Sequence, residues 1–140
     1  MMSKKCKYAI KALIELAKLG KEQSMFTRDI AKNQNIPQKF LEQILTELKQ
    51  GGFVTSRKGY GGGIKLKRPA KEITVADVYR QFDGAIALVP CVAYDLYEKC
   101  DDCIDESRCT LRREFSKIKE QARDVMKKTT IHSFMRPIKK

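Results

Sequence analysis

Long apolar runs are missing from this 140-residue sequence. The longest apolar stretch without a charged side chain, 84–94, is far shorter than the roughly 20 residues that a membrane-spanning helix needs. The first residues are basic, as in an export signal, but Lys11, Glu15 and Lys18 interrupt the apolar core that such a signal requires. We therefore expect a cytoplasmic protein.

Other absences narrow the class of protein further. The sequence has no internal repeat and no low-complexity stretch, and its length leaves room for about one domain. Charged residues make up 33% and hydrophobic residues 42%, which is the balance of a globular protein. A large multi-step enzyme is not expected at this length. His132 is the single histidine, and we expect it to be a surface side chain rather than a metal ligand.

Positive charge is concentrated in the first half of the chain. Residues 1–71 contain 16 Lys and Arg against 5 Asp and Glu, whereas residues 72–140 contain 13 against 12. Residues 91–109 carry six acidic side chains and two basic ones. A strong cationic field attracts polyanions, of which nucleic acid is the commonest large one in a cytoplasm. Nucleic-acid binding is therefore one hypothesis for the first half, and a merely lysine-rich surface is the alternative.

The hydrophobic spacing predicts three helices in this basic half. The first covers residues 5–19, and the second runs from a capping Thr27 to Asn33. The third begins with Pro37 at its first position and ends at a Gly-Gly pair. Two short helices joined by a tight turn, the second with a polar outer face, have the shape of a helix-turn-helix.

A basic hairpin and a fourth helix follow. Strands are predicted at 53–57 and 64–68, and the glycine-rich loop between them can bend sharply to form a wing. A nucleotide-binding phosphate loop is disfavoured, because no Gly-Lys-Ser/Thr sequence and no helix follow the glycines. Thr74, with Asp77 three residues on, caps the fourth helix, which ends at Gly84.

The last predicted helix carries an apolar stripe with the spacing of helix-to-helix packing. Its members recur at steps of four and three residues: Leu111, Phe115, Ile118, Ala122, Val125 and Thr129. The first domain has enough helices to close its own core, so we expect this stripe to form a homodimer; packing on its own domain is the alternative. The fold class is thus mainly α with a small β-hairpin. It comprises a winged helix-turn-helix domain (1–84), a cysteine-rich segment (85–110), a dimerisation helix (111–132) and a disordered tail (133–140).

Four of the five cysteines fall within 19 residues in the pattern C-x8-C-x2-C-x5-C: Cys91, Cys100, Cys103 and Cys109. In a reducing cytoplasm, such cysteines are better interpreted as metal ligands or redox centres than as disulfides. Soft sulfur donors on a flexible segment suit an iron–sulfur cluster or a structural zinc ion. A Cys100–Cys103 dithiol switch is another alternative. No thioredoxin-like pattern surrounds this pair, so a thiol oxidoreductase is not expected.

Nearly the whole chain resembles the IscR/NsrR-type bacterial winged-helix transcription regulators. The resemblance is carried by KYAIKAL at 7–13, Ile30-Ala31, FLEQIL at 40–45, the wing RKGYGGG at 57–63 and the cysteines that follow. It implies a non-enzymatic homodimer that binds a palindromic operator in double-stranded DNA, with recognition helices in the major groove and wings at the minor groove. It also implies that three of the cysteines hold a two-iron or four-iron cluster, with a fourth ligand of another type.

The fourth ligand departs from the family pattern. Arg112 stands where some members have a histidine, and Lys7 stands where others have an acidic residue that reaches across from the other subunit. Cys100, an extra thiol within the segment, is the first candidate for this ligand, and Cys6 is the second. Closing a loop of a few residues costs less entropy than ordering a second chain.

The polar face of the third helix and the wing supply candidate DNA contacts. Glutamine can pair with adenine edges, lysine with guanine or phosphate, and glutamate with cytosine. Basic wing residues contact phosphates or enter the minor groove, and a wing tyrosine packs along the sugar backbone. The candidates are Arg28, Gln38, Lys39, Glu42, Gln43, Arg57, Lys58 and Tyr60. A dimer places two such helices about 34–36 Å apart, which predicts a pseudo-palindromic site.

The position of the cysteine segment suggests how the DNA-binding activity is controlled. The segment lies between the DNA-binding half and the dimer helix, so a cluster there could change the angle between the two recognition helices. We expect the cluster to sense iron supply, oxidants or nitric oxide. A ligand shifts the equilibrium between two conformations only by as much as its binding free energy differs between them.

Overall fold

The computed structural model describes residues 2–20, 22–59 and 62–139. Within these ranges the helices are α1 (Lys4–Lys18), α2 (Thr27–Gln34), α3 (Gln38–Gln50), α4 (Val75–Asp83) and α5 (Thr110–Lys128). Strands β1 (Val54–Arg57) and β2 (Gly63–Leu66) form one antiparallel hairpin between α3 and α4. Short 3-10 turns lie at Ala70–Glu72, Pro90–Val92, Glu106–Arg108 and Ile131–Met135. This architecture confirms the predicted mainly α fold class with a small hairpin.

The core of the N-terminal domain is built around α1. Ser3 caps this helix, because its hydroxyl accepts a hydrogen bond from the Cys6 amide at 3.1 Å. Leu13 of α1 is fully buried together with Ile30 of α2 and with Leu41 and Ile44 of α3. Complete burial of one such side chain stabilises the fold by about 1.5–3 kcal/mol. Helices α1, α2 and α3 therefore form one packed unit that holds the polar face of α3 outward.

A buried carboxylate joins α1 to the end of α2. The Glu15 side chain accepts hydrogen bonds from Lys18 at 3.0 Å, Asn33 at 3.2 Å and Gln34 at 2.6 Å. Burial opposes its ionisation, but these hydrogen bonds and the Lys18 charge outweigh it, so the pKa of Glu15 is lowered. The link fixes the short helix α2, which has few buried apolar residues of its own.

Two predicted helix starts differ from the structure. Phe26, and not Thr27, occupies the N-cap position of α2, and it makes no side-chain cap hydrogen bond. The prediction of a Thr27 cap is therefore wrong, because this residue already has helical geometry. Pro37 lies at the N-cap of α3 rather than at its first helical position. At α4, by contrast, Thr74 and Asp77 form the predicted capping box.

The hairpin is packed against the domain by a third extended segment. Val54 pairs with Leu66 and Arg57 with Gly63 in the antiparallel register. Met25 bridges to Ile64, with N–O distances of 2.9 and 2.8 Å. Gly63 has a φ of 122°, and a Cβ there would lie 2.8 Å from the Met25 carbonyl oxygen. A glycine is therefore required where the wing crosses this segment.

The chain after α5 returns to the N-terminal domain. The Ile131 amide donates to the Ile73 carbonyl at 2.9 Å, the Val75 amide donates to the Thr129 carbonyl at 2.8 Å, and Ile131 is completely buried. Residues 133–135, which the sequence prediction assigned to a disordered tail, belong to the 3-10 turn Ile131–Met135. The buried isoleucine holds this turn in place. Among the described residues, no helix is long and apolar enough to cross a membrane.

Candidate DNA-binding face and cysteine cleft

A tight turn sets α3 across α2. Asn35 adopts the left-handed conformation with a φ of 54°, which asparagine tolerates better than most residues. The Ile36 amide then donates to the Ala31 carbonyl at 2.9 Å, and Ile36 itself is buried. The turn redirects the chain so that α3 packs by its apolar side, Leu41, Ile44 and Leu48. Its polar side faces away from the domain.

The predicted DNA contacts on the helices are all exposed. Lys39, Glu42 and Gln43 lie on the outer face of α3, and Gln38 lies at its start. Arg28 and Gln38 line a shallow hollow of about 330 Å³ together with Phe26. The Arg28 guanidinium lies 5.5 Å from the centre of the Phe26 ring. The structure thus leaves these side chains at the surface, where Gln38 donates a hydrogen bond to Glu42 at 3.5 Å and Arg28 lies 3.9 Å from Asp29.

The wing contributes the remaining candidate contacts. Arg57 ends β1 and Lys58 follows it, and both side chains are exposed. Tyr60, the last predicted contact, lies outside the described residues. Arg57 and Lys58 therefore give the wing a basic end that is free to meet a phosphate backbone.

The four clustered cysteines line one cleft at the start of α5. The cleft has a volume of about 550 Å³ and includes Arg112 and Phe115 from the first turns of that helix. Its four thiols are Cys91, which is buried, and Cys100, Cys103 and Cys109, which are half-buried. The structure brings together residues that are up to 18 positions apart in the sequence. We call this site the cysteine cleft.

Hydrogen bonds order the thiols within the cysteine cleft. Cys109 is the N-cap of α5, and its sulfur accepts a hydrogen bond from the Arg112 amide at 3.4 Å. A hydrogen bond with Cys91 is the largest cause that raises the pKa of Cys100. Desolvation, followed by the charge of Glu106, raises the pKa of Cys103. Both raised values favour the protonated thiols, which must lose their protons before they bind a metal.

The cysteine cleft is not closed around a metal as it stands. Across residues 2–20, 22–59 and 62–139, no group of three or more His, Cys, Asp or Glu side chains is arranged to hold a metal ion. His132, on the 3-10 turn after α5, is half-buried and is not among the residues that line the cysteine cleft.

Cys6 lies apart from these four cysteines. It is fully buried in the α1 core, and burial, together with the nearby Asp83 charge, raises its pKa to about 12. A thiol in this environment is a poor metal ligand, because the ligand is the thiolate. Of the two candidates for a fourth ligand, Cys100 lies in the cysteine cleft and Cys6 does not.

Sequence reasoning missed the contacts that attach the cysteine segment to α5. The Tyr94 ring lies 3.9 Å from Lys119 Nζ and 4.5 Å from Arg123 Cζ, and its hydroxyl donates to Glu120 at 2.5 Å. The Arg112 Nε donates to the Cys91 carbonyl at 3.3 Å. An aromatic residue flanked by cations is a recurrent pairing, but no spacing rule links residue 94 to residues 119 and 123.

Together, the helix-turn-helix, the polar outer face of α3 and the basic wing are the features of a winged-helix transcription regulator. A family model, Rrf2, described as an iron-dependent transcriptional regulator, matches residues 2–137. The chain belongs to the Rrf2 family. The predicted resemblance is confirmed, because this family includes relatives named IscR. The predicted non-enzymatic role is also confirmed by the names of the relatives, which are transcription regulators.

Three similar proteins illustrate the match. An rrf2-like HTH-type transcriptional regulator of Rhodobacter capsulatus is 37% identical over 121 residues, which cover 84% of this chain and 81% of that one. The regulator IscR of Photorhabdus laumondii is 31% identical over 103 residues, or 74% of this chain and 63% of its own. The structure of CymR, the global cysteine regulator of B. subtilis, matches with a TM-score of 0.78 at 28% identity, covering 96% and 95% of the two chains.

Proposed function

We propose that this protein is a homodimeric, cytoplasmic transcription regulator that binds a pseudo-palindromic operator and is controlled by an iron–sulfur cluster. Cys91, Cys100, Cys103 and Cys109 would hold the cluster. The observation that carries the proposal is that these four thiols line one cleft, formed by the cysteine segment and the first turns of α5. The description of the family as iron-dependent supports the same metal.

The chemistry of the donor set fits an iron–sulfur cluster. All four residues are free thiols, and thiolates are the usual ligands of such clusters. When bound, the cluster would supply a centre that responds to oxidants, nitric oxide or iron supply. The residues themselves must first release protons and move closer together, since their present spacing holds no metal. Residues 93–105 contain no helix or strand that would resist this movement.

The fold offers a route from the cysteine cleft to the DNA-binding face. Cys91 and Cys109 flank the segment that leads into α5, and the chain after α5 hydrogen-bonds to Ile73 just before α4. Helix α4 in turn packs against α1, the centre of the winged-helix core. Rearrangement of the cysteines can therefore shift α5 relative to α3, and so change how well two copies fit one operator.

Anaerobic preparation of the full chain tests the cluster directly. We expect brown protein that absorbs visible light and contains iron and acid-labile sulfide. Each of the single changes Cys91→Ser, Cys103→Ser and Cys109→Ser should abolish the absorption, the iron and the sulfide. Operator binding should then differ between cluster-bound and cluster-free protein. Colourless protein that contains zinc and no sulfide would instead support a structural zinc site. Equal operator affinity with and without the cluster would contradict its sensing role.

A thiol switch is a second candidate, favoured by the shared cleft of Cys91 and Cys100 and by the interaction with Cys91 that raises the pKa of Cys100. In cluster-free protein, a disulfide oxidant such as oxidised glutathione could accept two electrons and two protons from these thiols, which would join as a disulfide. The sequence alone had suggested the Cys100–Cys103 pair. Peptide mapping after mild oxidation distinguishes the two pairs, and a matching change in operator affinity is required of a switch.

A further inference from the structure

Arg112 contacts both ends of the cysteine segment. Its side-chain Nε donates a hydrogen bond to the Cys91 carbonyl at 3.3 Å, across 21 positions in the sequence. Its backbone amide donates to the Cys109 sulfur at 3.4 Å. One residue in the first turn of α5 therefore joins the first cysteine of the cluster segment to the last.

The other cations near the cysteine cleft do not make such a link. Arg108 also lines the cysteine cleft, but its side chain is 88% exposed and pairs with Asp105 of its own turn at 3.7 Å. Arg113, the next residue of α5, is exposed, does not line the cysteine cleft and pairs with Glu114 at 2.8 Å. Arg112 is half-buried and lines the cysteine cleft itself. Its position, and not merely its charge, distinguishes it.

Four thiols do not stay together in a cleft without support. Residues 93–105 lack regular structure, so an unanchored segment would gain conformational entropy by moving away from α5. The contact of Tyr94 with Lys119 and Arg123 anchors the cysteine segment further along α5. Arg112, by contrast, hydrogen-bonds to the backbone of Cys91 itself.

We propose that Arg112 is a positioning residue that holds Cys91 beside Cys109, so that the ligand set is assembled before a metal or cluster arrives. The proposal rests on the proposed function, since it concerns the same four cysteines. It assigns Arg112 no bond to the metal; the guanidinium acts through the Cys91 backbone. Loss of a residue that orients metal ligands typically weakens metal binding by about 10–100-fold.

Crosslinking of metal-free protein tests the positioning directly. A chain with Cys100→Ser and Cys103→Ser keeps Cys91 and Cys109, which line the cysteine cleft. Cys6 is completely enclosed in the α1 core and does not line that cleft, so we expect it not to react. Dibromobimane becomes fluorescent only after it joins two thiols, so it reports whether the pair shares one cleft. We expect Arg112→Gln to lower the yield at least about twofold and to weaken Co²⁺ binding by the otherwise wild-type chain about tenfold. Arg113→Gln, the matched control on the adjacent exposed residue, should change neither.

Each outcome decides a separate question. Equal crosslinking and Co²⁺ binding in Arg112→Gln and Arg113→Gln would overturn the positioning role, even if wild-type protein holds a cluster. If the wild-type chain assembles no cluster, the proposed function is contradicted. If Arg112→Gln nevertheless gives less crosslinking than the matched control, the positioning role is supported. If Arg112→Gln fails to fold, Arg112→Lys replaces it: lysine keeps the charge but lacks the guanidinium Nε, and the same losses are expected.

Discussion

At the scale of single residues, the five cysteines fall into two environments. Cys6 is fully buried with a pKa raised to about 12 by burial and by Asp83, whereas Cys100 and Cys103 are half-buried with raised pKa values. In reduced, metal-free protein we expect iodoacetamide to modify Cys100 and Cys103 slowly at neutral pH and faster as pH rises, because the thiolate is the nucleophile.

Peptide mass spectrometry over a time course measures these rates at each cysteine. Cys6 should remain unmodified until the protein unfolds in denaturant, where all five cysteines should react alike. Modification of Cys6 at the rate of Cys100 in the folded protein would show that the N-terminal core opens readily, in conflict with its complete burial.

The exposed side chains of the DNA-binding face allow a second prediction. Lys58→Ala should weaken binding to all DNA sequences, because one phosphate contact is lost. The slope of the logarithm of the binding constant against the logarithm of the salt concentration should become shallower by about one unit. Gln43→Ala should instead relax the base preference, at a cost of about 1–3 kcal/mol for the preferred operator. Fluorescence anisotropy over a range of salt concentrations, with operator and random DNA, measures both. Equal effects of the two changes on random DNA would mean that α3 is not the recognition helix.

At the scale of elements, the buried Glu15 carboxylate governs how α1 holds α2. Its folded pKa is lowered, so its contribution to stability is present above the unfolded value of about 4.3 and is lost as pH falls through the lower folded value. We expect Glu15→Gln to reduce the free energy of unfolding by about 1–2 kcal/mol at neutral pH and to remove part of the acid sensitivity.

Denaturant unfolding of both proteins at several pH values checks this contribution. Glu72→Gln is the control, because that side chain is exposed and only the backbone carbonyl of Glu72 accepts the Arg68 hydrogen bond. The difference between wild type and Glu15→Gln should shrink toward low pH. A difference that stays constant down to pH 3 would contradict a charged Glu15 in the folded protein.

Local sequence signals predicted most of the elements but few of their distant contacts. The Thr74–Asp77 capping box and the apolar stripe of α3 depend on residues three or four positions apart, so their spacing is visible in the sequence. The third extended segment at Met25 and the buried Ile131 could not be predicted in this way. Each depends on a backbone partner about 40 or more residues away.

In the cysteine cleft, too, the local spacing was visible in the sequence and the distant contacts were not. The spacing of the four cysteines indicated a shared site, and the structure brings them to one cavity. The contacts of Arg112 with Cys91 and of Tyr94 with Lys119 had no sequence signal, because each joins an irregular segment to a helix at a separation that only the fold determines. For the same reason, the sequence favoured the Cys100–Cys103 pair, whose members are near each other along the chain, and gave no signal that Cys91 interacts with Cys100.

At the scale of the whole molecule, α5 is attached at both ends and leaves one apolar side uncovered. Its start contacts Cys91 through Arg112, and the chain beyond its end hydrogen-bonds to Ile73. On the uncovered side, Leu111 and Val125 are each 64% exposed and Ile118 is 47% exposed. A stripe with a/d spacing and this exposure is typical of a helix that packs against a second copy.

Disruption of this stripe should separate the protomers without unfolding them. Ile118→Lys introduces a positive charge into the apolar stripe, where burial in a dimer would cost several kcal/mol, so we expect monomers and a loss of operator affinity of at least about a hundredfold. Asp124→Asn changes the net charge equally on the opposite, exposed side of α5 and should leave both properties unchanged. Analytical ultracentrifugation and binding to full and half operators measure them. A dimer that survives Ile118→Lys with full operator affinity would place the interface elsewhere.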